Sequence, residues 1–235
     1  SITNIGQLKL GNEGSYFYGC SNLTTIGGTF DLTGITNMVS MFESCTSLTS
    51  VNGIGSWDVS NVTDMSYMFY GTTVFNQPLN SWNVSSVTNM GAMFNNATVF
   101  NQPLNSWDTS AVTNMVEVFS YATSFNQDIS SWDVSAVTDM GAIFAYATAF
   151  NQDISGWDVS SVTQMNDFMY GKSTADYDYY DDLLNAWSLL TLQNDVTWGM
   201  GSIEYTSAGA SARQDIIDNY SWTITDGGER GVVER

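Results

Sequence analysis

Apolar and polar residues alternate along most of the chain in two rhythms that succeed one another every 25 residues. In the stretch FNQPLNSWNVSSVTNMGAMFNNATV, from Phe75 to Val99, the segment Ser81-Trp82-Asn83-Val84-Ser85 alternates polar and apolar, as a short strand does when one face is buried. Further on, Val87, Met90, Phe94 and Ala97 fall at intervals of three and four, the spacing of a helix with one buried face. Ser86 or Thr88 stands where the N-cap of that helix belongs. Each unit is therefore expected to hold a short strand, a turn and about two turns of helix.

The unit recurs from Phe100, Phe125 and Phe150, and Trp57, Trp82, Trp107, Trp132 and Trp157 stand in register without an insertion. A unit this short cannot bury its own apolar face, so neighbours must stack and share one elongated core. Stacking would set the strands in a parallel ladder about 4.8 Å apart, with the helices on the opposite side. Nearer the N-terminus, Phe17-Tyr18-Gly19-Cys20-Ser21-Asn22-Leu23-Thr24-Thr25-Ile26 aligns with Phe42-Glu43-Ser44-Cys45-Thr46-Ser47-Leu48-Thr49-Ser50-Val51, again 25 residues on.

The pattern Phe-x-x-Cys-x-x-Leu-x-x-Ile resembles the BspA type of leucine-rich repeat. The later units, with Ser-Trp-Asp-Val-Ser-x-Val-Thr-x-Met and Phe-Asn-Gln-Asp-Ile-Ser, are similar to the related 25-residue repeat of BspA-like and mycoplasma lipoprotein-associated bacterial surface proteins. The resemblance covers roughly residues 14 to 170 and implies surface location and adhesion rather than a defined chemistry. The expected fold class is an α/β repeat solenoid: a leucine-rich-repeat-like, right-handed coil stack with a parallel strand ladder on one side, short helices on the other and a C-terminal cap. Residues 1–56 form the BspA-type coils, 57–170 the regular repeats and 171–235 the cap, in one continuous structural domain. Within the cap, Asp181 to Leu190 and Ser211 to Tyr220 read as helices and Ser221 to Thr225 as a strand.

Composition narrows the partners. The chain has 235 residues, 24 acidic against 5 basic, for a net charge of −19, although only 12% of residues are charged. Nucleic acid and anionic membrane surfaces both require Lys and Arg, so neither is an expected partner. No run approaches the roughly 18 apolar residues of a membrane span, so direct membrane insertion of this segment is not expected. With Ser1 in place of an initiating Met, the chain is expected to be a segment of a longer or processed protein.

Candidate chemistry is sparse. Without His the familiar nucleophile triads are unavailable, and the acidic residues repeat with the structural period instead of forming a unique pair, so no enzyme is expected. Cys20 and Cys45 occupy one position in adjacent coils, where later coils carry Thr72, Ala97, Ala122 and Ala147; that column favours a small buried side chain, with a disulfide as the alternative. Alternation places the Trp row in the core, the alternative being an exposed platform for sugars. It then turns outward Asp58, Asn83, Asp108, Asp133 and Asp158, the candidate ligand-binding row. Stacked carboxylates repel by very roughly 1 kcal/mol per solvated pair, which turn amides, Ser hydroxyls, cations or a ligand must offset. Asn76, Asn101, Asn126 and Asn151 read as an amide ladder. Asp176, Asp178, Asp181 and Asp182 are the candidate metal cluster, calcium being the cation that favours such carboxylates, against a solvated loop leading into a helix.

The function expected is recognition: a secreted or cell-surface bacterial module that binds a host or matrix protein or a glycan through its polar strand face. The alternatives are a non-binding spacer or stalk and an ice-binding surface. The last would need Thr63, Thr88, Thr113, Thr138 and Thr163 to lie exposed instead of capping helices.

Overall fold

The computed structural model describes residues 1–2 and 7–231. Its units lie one upon another, each bonded to the next through the main chain. The ladder is displaced from the alternating segment. Parallel bridges run Asp64–Asn89–Asn114–Asp139–Gln164, inside the Val-Thr-x-Met stretch, whereas Trp82 to Val84 and its equivalents form no strand. Thr88, read as a cap, belongs to this ladder: its amide and its hydroxyl both donate to the Thr63 carbonyl, at 2.9 and 3.2 Å. Trp82 and Val84 are still buried and Asn83 exposed, so the alternation sorts faces correctly without building a sheet.

The helices expected in the repeats are replaced by runs of overlapping turns. Met93, Asn95 and Ala97 donate to carbonyls three residues back at 3.0–3.2 Å, while the intervening amides of Met90, Ala92, Phe94 and Asn96 donate to Asn114, Val116, Val118 and Ser120 of the next coil at 2.8–3.1 Å. An α-helix turns every amide toward its own carbonyls and keeps none for a neighbour. The turn run divides its donors, half locally and half along the stack. It does so by placing Ala92 (φ 54°) and Asn96 (φ 57°) in the left-handed region, so the chain changes hand every four residues. Apolar residues three and four apart suit either conformation, which is why the spacing misled. The same axial bonds begin at Ser15, Phe17 and Gly19 and continue to Tyr146, where the amide meets the Tyr170 carbonyl, so the coils before and after Trp57 share one ladder.

Three aromatic columns fill the core. Phe42, Phe69, Phe94, Phe119 and Phe144 stack with centroids 5.6–6.0 Å apart. Phe75, Phe100, Phe125, Phe150 and Tyr177 follow at 6.2–6.5 Å. Trp57, Trp82, Trp107 and Trp132 make the third at 6.1–6.4 Å. Each indole from Trp82 to Trp157 donates Nε1–H to a carbonyl of the preceding coil at 2.7–3.2 Å and is only 2–3% exposed, which removes the exposed-platform reading. Beside them runs the amide ladder: Asn76 Oδ1 accepts from the Asn101 amide, Asn101 Oδ1 from that of Asn126 and Asn126 Oδ1 from that of Asn151, at 2.8–3.0 Å. Cys20 is exposed and Cys45 buried, and both are free thiols; burial, then the nearby Cys20, pushes Cys45 up to about 11.

Both ends of the stack depart from the repeat. At the N-terminal end, β1 (Gln7–Lys9) pairs in parallel with β3 (Thr29–Asp31), and β2 (Thr25–Ile26) with β4 (Ser50–Val51). At the other end, α1 (Tyr180–Trp187) and α2 (Ala210–Tyr220) lie within or close to the expected spans, and β5 (Thr197–Gly199) pairs with β6 (Thr223–Thr225). Trp198 of β5 bridges Met165, and the Met169 amide donates to the Gly199 carbonyl, so β5 takes the place of one more coil. Lys172 stands in the column of Cys45, Thr72 and Ala97; it is 1% exposed and donates Nζ–H to the carbonyls of Ala147 and Phe150 at 2.9 and 2.8 Å.

Two predictions follow from this packing. Phe119→Ala removes a ring from the middle of a column and should cost about 3–5 kcal/mol in urea unfolding; a loss below about 1 kcal/mol would contradict the packing. Burial holds Lys172 down at about 8, below its ordinary 10.5, with Asp176 pulling the other way. The folded state then binds fewer protons than the unfolded chain between those values, so this group's contribution grows as pH rises through them and is lost as pH falls through about 8. The stability difference between the native chain and Lys172→Met should therefore shift in favour of the native chain from about pH 7.5 to about pH 10. A difference independent of pH would exclude this role.

Candidate functional site

The row Asp58, Asn83, Asp108, Asp133 and Asp158 is exposed, as a binding row requires, but its inner oxygens are already engaged. Each Oδ1 accepts from the amide of the Ser two residues on at 3.0–3.2 Å and from that hydroxyl at 2.5–2.8 Å. These are Asx turns, the local motif that Asp and Asn favour. The Ser hydroxyls first, and then the Ser amides, hold the Asp58, Asp108 and Asp133 carboxyls below the usual range, against slight desolvation and, at Asp108, the neighbouring Asp133. Turn donors thus offset the repulsion along the row. Asp58 differs in one respect, since with the half-buried Trp57 and Asp31 it lines a groove of about 430 Å³ where the first regular coil begins.

The four cap carboxylates do not converge. Asp176 accepts from the Ser173 amide and hydroxyl at 2.8 and 2.7 Å, in a capping box. Asp178 extends the amide ladder, its amide donating to Asn151 Oδ1 at 3.0 Å and its carboxylate accepting from Asn151 Nδ2 at 2.7 Å. Asp181 accepts from the Thr206 amide and hydroxyl at 2.9 and 2.5 Å, and Asp182 is exposed in the first turn of α1. Among the described residues no group of three or more His, Cys, Asp or Glu is placed to hold a metal ion. Millimolar calcium or EDTA should leave the melting temperature unchanged, and a calcium-dependent rise would contradict this placement.

The surface that sequence reasoning missed lies over the turn runs. Here the aligned positions differ from coil to coil, reading Tyr67, Ala92, Glu117, Ala142, Asp167; then Tyr70, Asn95, Ser120, Ala145, Tyr170; then Gly71, Asn96, Tyr121, Tyr146, Gly171. Tyr67, Tyr121 and Tyr170 are each about half exposed, at 42–51%. The rings of Tyr121 and Tyr146 stack at 4.5 Å, and Tyr170 meets Tyr146 edge-on at 5.4 Å. Partial burial and then Tyr170 and Tyr121 push the Tyr146 phenol upward. Gly171 is required here, since a Cβ at this position would lie 2.5 Å from the Tyr146 ring. Tyr67, Glu117, Tyr121, Tyr146 and Asp167 all hold φ of 56–58°, a conformation that costs a bulky residue on the order of 1 kcal/mol and for which Gly71 and Gly171 are the cheaper solutions in the same column.

The paired rings form a ridge with a depression on each side. One, of about 390 Å³, is lined by Tyr70, Asn95, Asn96, Glu117, Ser120 and Tyr121. The other, of about 560 Å³, lies between Tyr146, Tyr170 and Asp167 and the cap residues Ser202 and Thr225. The second also takes in Lys172, Ser173 and Asp176.

Among the described residues, no helix is long and apolar enough to cross a membrane. No curated protein and no solved structure matches the chain. Two overlapping stretches, residues 13–119 and 81–187, match one family. The matched stretches cover the stack of coils and run on through α1, and the chain belongs to that family, DUF285, described as Mycoplasma protein of unknown function.

Proposed function

We propose that the chain is a solenoid recognition module of a bacterial surface or secreted protein, related to the BspA-like leucine-rich repeats, that adheres to a host or matrix protein or to a glycan. The observation that carries this reading is the ridge of Tyr121, Tyr146 and Tyr170, whose first two residues hold left-handed positions. A passive spacer needs only the repeat, and has no use for bulky aromatic residues at left-handed positions where glycine would be less strained. Exposed Tyr supplies large contact area with little rotamer entropy to lose, as in other recognition surfaces. The near absence of cations argues against anionic partners, and nothing in the site favours catalysis. The tyrosine side therefore replaces the Asp58 to Asp158 row as the favoured binding face, because that row's inner oxygens are committed to turns.

One observation favours a second reading. Thr63, Thr88, Thr113, Thr138 and Thr163 are exposed in the parallel ladder, the condition an ice-binding surface requires. Their hydroxyls already donate to carbonyls of the preceding coil at 3.1–3.2 Å, which leaves this reading second.

The test is adhesion of the full chain to immobilised extracellular-matrix proteins and a glycan array. Tyr121→Ala, Tyr146→Ala and Tyr170→Ala together should abolish binding, whereas Asp108→Ala, Asp133→Ala and Asp158→Ala together should retain it. The reverse pattern would return the site to the acidic row. Absence of binding would favour a spacer, and thermal hysteresis in solution would select ice binding.

A further inference from the structure

Resting on that reading, we infer that the depression between Tyr70 and Tyr121 is a subsite for a neutral oligosaccharide running along the stack. It spans the coil of Asn95 and Asn96, with a phenol ring on the coil to either side. Its floor is polar and held in place: Asn95 and Ser120 are 6% and 3% exposed, and Asn95 Nδ2 donates to Glu117 Oε2 at 2.9 Å, which fixes the carboxylate. Among the described residues, Asn95 Oδ1, the Asn96 side-chain amide, Glu117 Oε1 and Ser120 Oγ have no protein hydrogen-bond partner, yet none is sealed from solvent.

That combination fits a sugar better than a peptide. A pyranose offers a face of C–H bonds to an aromatic ring and a rim of hydroxyls that both donate and accept. The rings of Tyr70 and Tyr121 suit the first, and the amides, carboxylate and hydroxyl suit the second. An apolar peptide anchor would need a desolvated hydrophobic pocket, and no aliphatic side chain lines this one. No Lys or Arg lines it either, so phosphate, sulfate and uronate groups would find only the Glu117 charge, of their own sign. The volume of about 390 Å³ is within the range of small-molecule sites. Tyr121 stacks on Tyr146, so its ring is fixed before any ligand arrives.

The experiment is calorimetric titration of the full chain with cellohexaose, xylohexaose, mannohexaose and chitohexaose, and with heparin and alginate oligomers. At least one neutral hexasaccharide should bind. Tyr121→Ala should weaken it roughly tenfold and the isosteric Glu117→Gln several-fold, with Asp133→Ala unchanged. If Tyr121→Ala fails to fold, Glu117→Gln, which leaves the ring pair intact, carries the test. The inference is overturned if no neutral hexasaccharide binds, if only the anionic oligomers bind, or if binding is indifferent to both variants. Adhesion to a matrix protein that depends on the tyrosines, without hexasaccharide binding, would sink this subsite while leaving the recognition role standing.

Discussion

The axial main-chain hydrogen bonds are the constraint from which the rest of the molecule follows. Alternate amides of each turn run, such as Ala92, Phe94 and Asn96, must point along the stack to reach the next coil. That requirement forbids a helix, because helical amides are consumed within the helix. It imposes the left-handed residues, because only a change of hand every four residues keeps the donors aligned while the chain turns. Once the coils are tied at a fixed spacing, equivalent side chains must meet their own kind, and the aromatic columns and amide ladder are the result. The core is therefore built by translation, and each ring has its neighbours above and below as partners.

Translation also decides what the outer surface can do. A column that helps to hold the coils together is restricted in what it offers a ligand: the Thr row bonds the preceding coil, the Asn row bonds the next, and the Asp row closes turns. Over the turn runs several side chains at left-handed positions leave the ladder and point outward, so their identity is free to vary. Tyr67, Asn96, Glu117, Tyr121, Tyr146 and Asp167 stand there. The columns that hold the stack and the proposed recognition surface thus fall on different sides of one repeat.

Much of this was legible in the residues, and the failures have physical causes. Trp82 beside Asn83 correctly divided inside from outside, since alternation reports which side a residue faces whatever the backbone pairing. It did not report pairing, and the ladder lies instead at Thr88 and Asn89. Val87, Met90, Phe94 and Ala97 were read as a helix because a run of turns returns to the core at the same interval. The column Gly19, Gly71, Asn96 and Gly171 carried the missing signal, these being the residues that enter the left-handed region most readily. Asp followed two places later by Ser, at Asp108 and Ser110, likewise marks an Asx turn before it marks a site. Lys172, in a column of small residues, gave no sign that it reaches inward to terminate the carbonyls of the last coil. The tyrosine side was hidden for another reason. Searching for what repeats directs attention away from Tyr70, Glu117 and Tyr121, the positions at which the repeat breaks.

The central proposal is that recognition occupies the tyrosine-bearing side, and a hydrogen-exchange footprint of the full chain bound to whichever matrix protein or glycan retains it tests this most directly. The account predicts slowed exchange within residues 67–71, 95–96, 117–121 and 167–171, with 56–60, 106–110 and 131–135 unaffected. Protection confined to the Asp-bearing stretches, with the tyrosine side unchanged, would contradict it.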